Sequence, residues 1–317
     1  MISTDIALAK KYLEDEQVIG LPTETVYGLA GNMYSEKAIG TIYKIKQRPS
    51  FNPLIVHLKD ITDLEKVAIH IPAKAYQLAQ TFWPGPLTLL LPKHPSIPNQ
   101  ITAGKDSVAV RVPNHPVALA LLASLDFPLA APSANPFTRI SPTNAEQVEA
   151  YFQNEIPLVL QGGSCKNGVE STIIGFDEDR VILYRYGAIP IEAIEAEVGE
   201  VHIYIQNEKN PEAPGMLMKH YSPHTPVVIS DNIKAEILKH PEKKIGLIVF
   251  YQAISSVDIN HQQVLSSEGD LQEAAANLYQ ALHSLDALQL DVIIAEIFPD
   301  EGLGKTINDR LRRAAEK

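Results

Sequence analysis

At 317 residues with a formal net charge of −11, the chain exceeds one comfortable hydrophobic core and lacks a large basic footprint for nucleic acid. Both halves on either side of residue 210 are acidic, so one small anionic ligand suits it better than a polyphosphate backbone. Cys165 is the single cysteine, which excludes an intramolecular disulfide and any multi-cysteine metal site. No apolar run reaches transmembrane length, and Met1 to Ile6 lack the basic and apolar regions of a secretory signal. A cytoplasmic location is expected.

In chain order, Ile6, Ala9 and Leu13 predict an amphipathic helix over residues 5–16 with Thr4 as its cap. Val18 to Leu21 read as a short buried strand. Pro22-Thr23-Glu24-Thr25-Val26-Tyr27-Gly28 follows its end with hydroxyls, a carboxylate and a phenol, and strand ends are where open α/β folds bind ligands. Ile39, Ile42, Tyr43 and Lys46 share one helix face, with Ser35 as N-cap, and Pro49 and Pro53 stop that helix. Lys44, Lys46 and Arg48 therefore stand at a helix exit beside the mouth of strand Leu54–Leu58, which carries His57. Two roles fit these cations: compensation of the helix dipole, or an anion site using the arginine fork.

Pro72 opens another helix, broken at Trp83-Pro84-Gly85-Pro86, with Trp83 as a packing anchor before strand Leu87–Leu91. In Val108-Ala109-Val110-Arg111-Val112-Pro113 a guanidinium interrupts an apolar run. A buried cation is costly unless paired, so Arg111 needs either a structural carboxylate or a ligand anion. An apolar helix over 116–125 and a strand over 127–131 lead to Pro132-Ser133-Ala134-Asn135. Thr143 and Glu146 have capping-box spacing. Strands are predicted at 158–160, 169–174 and 181–187, the last carrying Arg185.

Residues 206–226 read as a linker, although Met216, His220 and Tyr221 suit a tethered lid. Pro223 argues against a helical metal pair of His220 and His224. Strands at 227–230, 245–250 and 292–297, with helices at 270–288 and near 308–313, predict a small parallel α/β unit. Gly302-Leu303-Gly304-Lys305-Thr306 lacks the leading glycine of a phosphate loop, because Pro299 holds that position.

Taken together, Pro22 to Leu29, Lys46-Gln47-Arg48-Pro49 with Asn52-Pro53-Leu54, Pro132 to Asn135 and Gly168-Val169-Glu170-Ser171-Thr172 resemble the YrdC-like threonylcarbamoyl-AMP synthases. Pro214-Gly215-Met216 through His220-Tyr221-Ser222-Pro223 and the remainder look like the longer, two-domain form. The resemblance implies a twisted, open α/β sheet domain with a concave active-site face over 1–205, a linker or lid over 206–226, and a smaller Rossmann-like α/β domain over 227–317. It also implies a nucleotidyltransferase that joins L-threonine, bicarbonate and ATP into threonylcarbamoyl-adenylate, with Mg²⁺ on the phosphates. Downstream threonylcarbamoyl transferase proteins would pass the product to tRNA, so direct tRNA binding by this chain should be weak or absent.

Residue by residue, the resemblance places Lys46, Arg48, Asn52, Ser107, Ser133, Asn135, Ser141, Arg185 and Tyr221 with ATP, Lys46 and Arg48 being the catalytic pair. Thr25, His57, Arg111 and Ser171, with the backbone of Ala131, go to threonine, whose carboxylate would then partner Arg111. Two departures stand out: Phe137-Thr138 where the family usually has Ser-Gly, and Gln161 where Asp is common. The rival classes are an RNA- or ribosome-binding module using a basic cleft, and a transferase acting on carbamoyl phosphate. Loss of tRNA binding with salt would mark the former, and indifference to threonine the latter.

Overall fold

The computed structural model describes residues 1–204, 212–216 and 220–316. The interleaved helix and strand periods condense into two sheets. The larger has eleven strands among the described residues. Its order is Ile2–Ser3, Val159–Leu160, Ile19–Leu21, Gly28–Asn32, Leu129–Ala130, Ile55–His57, Ser107–Arg111, Leu87–Pro92, Thr172–Asp177, Arg180–Arg185 and Val201–Ile203. The pairing is mixed: Ile55–His57 runs parallel to Ser107–Arg111 and antiparallel to Leu129–Ala130. Helices cover this sheet through a core that includes Leu29, Ile42, Val56, Leu78 and Val110.

Local chemistry sets the helix ends. Ser35 Oγ accepts the amide of Ala38 at 3.1 Å and starts helix Glu36–Lys46, and Gln47 in the left-handed region (φ 53°) ends it. The first helix, Ile6–Glu14, is capped by Asp5 rather than Thr4, because the Asp5 carboxylate reaches the amide of Leu8 at 3.0 Å. The expected Thr143–Glu146 box is likewise displaced by one residue. Asn144 caps helix Ala145–Phe152 through the amide of Gln147, and Gln147 Oε1 in turn accepts the amide of Thr143 at 2.7 Å. The strand expected at 169–174 begins only at Thr172, which leaves Glu170 and Ser171 on the loop before it.

The second sheet is parallel throughout, in the order Val227–Ser230, Val292–Glu296, Ile245–Val249 and Gln262–Val264, with helices Leu271–Asp286 and Leu303–Ala315 packed on it. Strand Gln262–Val264 and helix Ile233–Leu238 went unrecognised in the sequence, being too short to establish a period. The linker assigned to 206–226 lies partly outside the described residues, at 206–211 and 217–219. Of its described parts, Ala213 and Met216 pack on Ile55, Leu90, Ala109 and Ile173 of the large sheet.

The two sheets do not merely hang together. Val26, Ile140 and Val169, on loops around the first sheet, share one buried cluster with Tyr221 and with Leu278, Tyr279, Ile307 and Leu311 on the helices that cover the second. Gly168 makes the closeness possible, since a Cβ there would stand 2.1 Å from the carbonyl oxygen of Ala276. The region around Lys305-Thr306 is used for this docking: Thr306 Oγ1 donates to Gly187 O at 2.9 Å, and Lys305 pairs with Glu192 at 2.7 Å.

Candidate active site

His57 and Arg111 end two adjacent parallel strands in direct register. Alternation along the second strand puts Ser107, Ala109 and Arg111 on the same side. His57 is buried with Nδ1 3.3 Å from Ile55 O, and burial together with the Arg111 charge pushes its pKa down to about 3. Its imidazole is neutral at physiological pH. With Nδ1 protonated toward that carbonyl, Nε2 is left as an acceptor.

Arg111 has the carboxylate partner that its own strand does not supply. Its Nη2 lies 2.6 Å from Glu24 Oε1, as an ion pair without hydrogen-bond alignment, while Nη1 donates to Thr25 Oγ1 at 2.9 Å and Nε to Gly85 O at 3.1 Å. A structural carboxylate thus shares the guanidinium that the resemblance gives to the threonine carboxylate alone. Thr25 Oγ1 is also 2.9 Å from Thr23 Oγ1, so the Pro22–Gly28 turn is tied together by its hydroxyls and delivers Glu24 to Arg111.

Lys46 at the helix exit is fully buried. Its Nζ donates to Ser133 O at 2.5 Å and to Asn135 O, so it braces the Pro132–Asn135 loop, and burial together with the Arg48 charge holds its pKa well below the usual lysine value. Arg48 donates through Nε and Nη2 to Asn52 O, Asn52 Oδ1 and Pro53 O at 3.1, 2.7 and 2.7 Å. Burial and the Arg185 charge bring Arg48 down to about 10, despite the opposing influence of Tyr43. Asn52 is the brace for Arg48, and Asn135 Nδ2 closes its own loop onto Pro136 O and Arg139 O, each at 2.9 Å. Lys46, Asn52 and Asn135 stand behind the cavity wall, not on it.

Arg185 donates Nε and Nη2 to Ser171 O at 3.1 and 2.8 Å, Nη2 also to Ser171 Oγ at 3.0 Å, and Nη1 to Pro214 O at 3.1 Å. One guanidinium therefore ties the sheet, the Glu170-Ser171 loop and the linker. Ser171 Oγ continues to Thr88 Oγ1 at 2.7 Å. Ser141 is not directed at the cavity: its hydroxyl donates to Glu170 Oε1 at 2.6 Å. Burial alone would raise the Glu170 carboxyl, but Arg310 and Arg185, with hydrogen bonds from Ser141 and Tyr279, outweigh it and hold the pKa below the usual range.

These elements enclose one cavity of about 530 Å³, its mouth included, whose walls include Thr25, Arg48, His57, Arg111, Ala131, Ser133, Ser171, Arg185 and Tyr221. Ser107 is elsewhere. It lines a separate depression with Leu90, Lys105, Tyr184 and Glu212, and Ala213 and Met216 pack on the sheet face that Ser107 shares with Ala109. Tyr221 takes a left-handed backbone (φ 61°), and its buried Oη has no hydrogen-bond partner among the described residues. The linker returns to the catalytic sheet at Phe137-Thr138: Ser222 N donates to Thr138 O at 2.8 Å, and Phe137 meets His220 edge-on. Thr138 has φ 68°, which explains why glycine suits this position and what the departure at Thr138 strains.

Glu24, Glu170 and the second-domain pair Tyr279 and Arg310 had no assigned role at the sequence level. Their partners lie up to 140 residues away, so periodicity carried no signal for them. Among the described residues no group of three or more His, Cys, Asp or Glu side chains is arranged to hold a metal ion. Both carboxylates beside the cavity are already engaged, Glu24 by Arg111 and Glu170 by Arg310. Neither is left as a ready metal ligand.

Residues 11–187 match the Sua5/YciO/YrdC family, described as "Telomere recombination", and residues 189–316 match the family described as "Threonylcarbamoyl-AMP synthase, C-terminal domain". The chain is 39% identical to a threonylcarbamoyl-AMP synthase of Pyrococcus abyssi over 98% of its own length and 94% of that protein. It is 40% identical to one of Bacillus subtilis, over 98% and 92%. The crystal structure of P. abyssi Sua5 complexed with L-threonine superposes with a TM-score of 0.91 at 38% identity, covering 98% of this chain and 94% of that one. The buried cationic cavity, the two sheets and these matches along the whole length agree, and the chain belongs to the Sua5/YciO/YrdC family in its long, two-domain form.

Proposed function

We propose that this chain is an L-threonylcarbamoyladenylate synthase, a nucleotidyltransferase that consumes L-threonine, bicarbonate and ATP and releases pyrophosphate. The observation that carries the reading is the cavity itself. Arg48, Arg111 and Arg185 converge on it with Lys46 behind them, and Arg48 is depressed partly by repulsion from Arg185. Such crowding is stabilised by an anionic ligand. The P. abyssi relative complexed with L-threonine supports the choice of amino acid.

The chemistry asks for little general-base work. The threonine amine attacks the carbon of bicarbonate, an N–C bond forms, and water leaves to give a carbamate. A carbamate oxygen then attacks the α-phosphorus of ATP in line, the bond to the bridging oxygen breaks, and pyrophosphate departs. Arg48 and Arg185 neutralise the charge that builds on the phosphates, while Lys46 fixes the Ser133 loop against them. Mg²⁺ would arrive with ATP and supply further charge neutralisation. Neutral His57 accepts from threonine at Nε2, and Thr25, Arg111, Ser171 and the Ala131 backbone hold the amino-acid end. The product feeds threonylcarbamoyl transfer to tRNA by other proteins, in keeping with the acidic balance, and direct tRNA binding should be weak or absent.

Pyrophosphate release with threonine and with bicarbonate omitted in turn tests this. Release should require both, and release indifferent to threonine would contradict the reading.

A further inference from the structure

Among the described residues, the bulkiest fully buried side chain is Arg310, on helix Leu303–Ala315 of the second domain. Burying a guanidinium is costly unless it is fully paired, and an apolar side chain would fill the same space without that cost. Arg310 is paired thoroughly, and two of the residues it meets, Glu170 and Tyr221, line the catalytic cavity. Nε donates to Glu170 Oε2 at 2.9 Å, Nη2 donates to Tyr186 O at 2.6 Å, and Nη1 meets the Asp309 carboxylate. Its Cζ stands 4.8 Å from the ring centroid of Tyr221, within cation–π range.

Tyr279, from helix Leu271–Asp286 of the same domain, acts on the same two residues. Its hydroxyl donates to Glu170 Oε2 at 2.8 Å, and its ring stacks on that of Tyr221 with centroids 5.5 Å apart and planes at 28°. Tyr221 therefore has its aromatic body held by the second domain while its unpartnered hydroxyl reaches the cavity beside Gly215 and Arg185. A left-handed backbone at a bulky residue is strained and persists only where its surroundings fix it. The grip of Arg310 and Tyr279 is what fixes it.

We propose that Arg310 is a positioning residue for the nucleotide: through Glu170 and the Tyr221 ring it makes the second domain a standing part of the ATP site. The proposal rests on the synthase reading for the identity of that nucleotide. Arg310 touches no reactant. It presents the Tyr221 hydroxyl and keeps Glu170, and with it Ser141, drawn away from the phosphates. Because threonine is held chiefly by Thr25 on the Pro22–Gly28 turn and by His57 and Arg111 at two strand ends, Arg310 should govern ATP and leave threonine alone.

The test is a double-mutant cycle on the full-length chain, Arg310→Lys against Tyr221→Phe, read as the ATP dissociation constant by calorimetry and as KM for ATP and for threonine. Arg310→Lys keeps a cation for Glu170 but loses the planar fork. ATP affinity and KM should each worsen about tenfold, the scale of one hydrogen bond to a charged group, with threonine KM changed by less than about twofold. The double variant should fall well short of the product of the two single effects, because Arg310 acts in part through the Tyr221 hydroxyl. Tyr279→Phe removes one bond to Glu170 and keeps the ring stack, so it should shift ATP affinity in the same direction by about threefold, near the low end for a single hydrogen bond. If Arg310→Lys does not fold, the ATP constant of Tyr279→Phe against an unchanged threonine KM decides the proposal instead. Folded variants with the wild-type ATP constant, or effects that multiply in the double variant, would overturn the proposal. A wild-type chain that binds ATP but releases no pyrophosphate with threonine would instead overturn the synthase reading, and the calorimetric cycle would still decide the role of Arg310.

Discussion

Arg111 and Glu24 lie 2.6 Å apart with their side chains 4% and 5% exposed, so the turn that follows the second strand of the chain is electrostatically locked to a strand end 87 positions later. Removing one member leaves the other charged and buried. Arg111→Leu should therefore cost about 3–5 kcal/mol of stability, whereas Arg111→Leu with Glu24→Leu should recover most of it. Denaturant midpoints measure both. Threonine-dependent activity should be lost in the double variant as well, since stability and ligand binding use the same guanidinium. A double variant as unstable as the single one would show that the pair is not the main cost.

Arg48 and Lys244 make a contrast of position. Arg48→Ala should lower kcat/KM for pyrophosphate release by roughly a hundredfold or more, comparable with removal of a preorganised charge-stabilising donor. Lys244 is exposed in the second domain, and Lys244→Ala should stay within about 0.5 kcal/mol in stability and leave activity unchanged. Equal losses in the two variants would displace the site from the cavity described.

Gly215 has φ 78°, and a Cβ there would lie 2.9 Å from Arg185 Nη1 and 3.0 Å from Tyr221 Oη. Gly215→Ala should cost about 1–2 kcal/mol in backbone strain and push both side chains off the nucleotide position. KM for ATP should rise while KM for threonine holds. A variant that merely melts earlier, with both constants intact, would refute that placement.

Stability should fall in mild acid. Burial and Arg111 hold His57 at about 3, and burial holds His283 at about 4, against an ordinary value of 6.5. Below pH 6.5 the unfolded histidines take up protons that the folded ones refuse, so the unfolded state gains. Each contributes a loss of about 1.4 kcal/mol per pH unit down to its folded pKa. Glu170 works in the same direction at lower pH: its depressed carboxyl gives stability that disappears as pH falls through its folded pKa. Chemical denaturation at pH 7, 5.5 and 4.5 should show a falling free energy, and a flat profile across that window would contradict the buried, neutral imidazoles.

What the sequence disclosed follows the range of the forces involved. The Ser35 cap and strand Val227–Ser230 are legible because they depend on neighbours within a few residues. The cap at Asp5 and the displaced box at Asn144 were missed by one residue, as end chemistry permits several oxygens to compete for the same amides. Lys46, Arg48 and Arg185 were visible as cations in apolar or proline-bounded runs. Their partners were not, because Ser133 O, Asn52 O and Pro214 O are backbone groups that any residue type would offer. Glu170 sat inside a recognised motif without a role, since three of its partners, Ser141, Tyr279 and Arg310, come from other parts of the chain.

This cationic cavity should activate threonine as its N-carboxylated adenylate. Pyrophosphate released by the full-length chain, with ATP and Mg²⁺ present and threonine and bicarbonate each withheld in turn, tests it most directly. Release that needs both substrates, together with a threonylcarbamoyl-adenylate product, is the predicted result. Release at the same rate without threonine, or none with all substrates present, would contradict it.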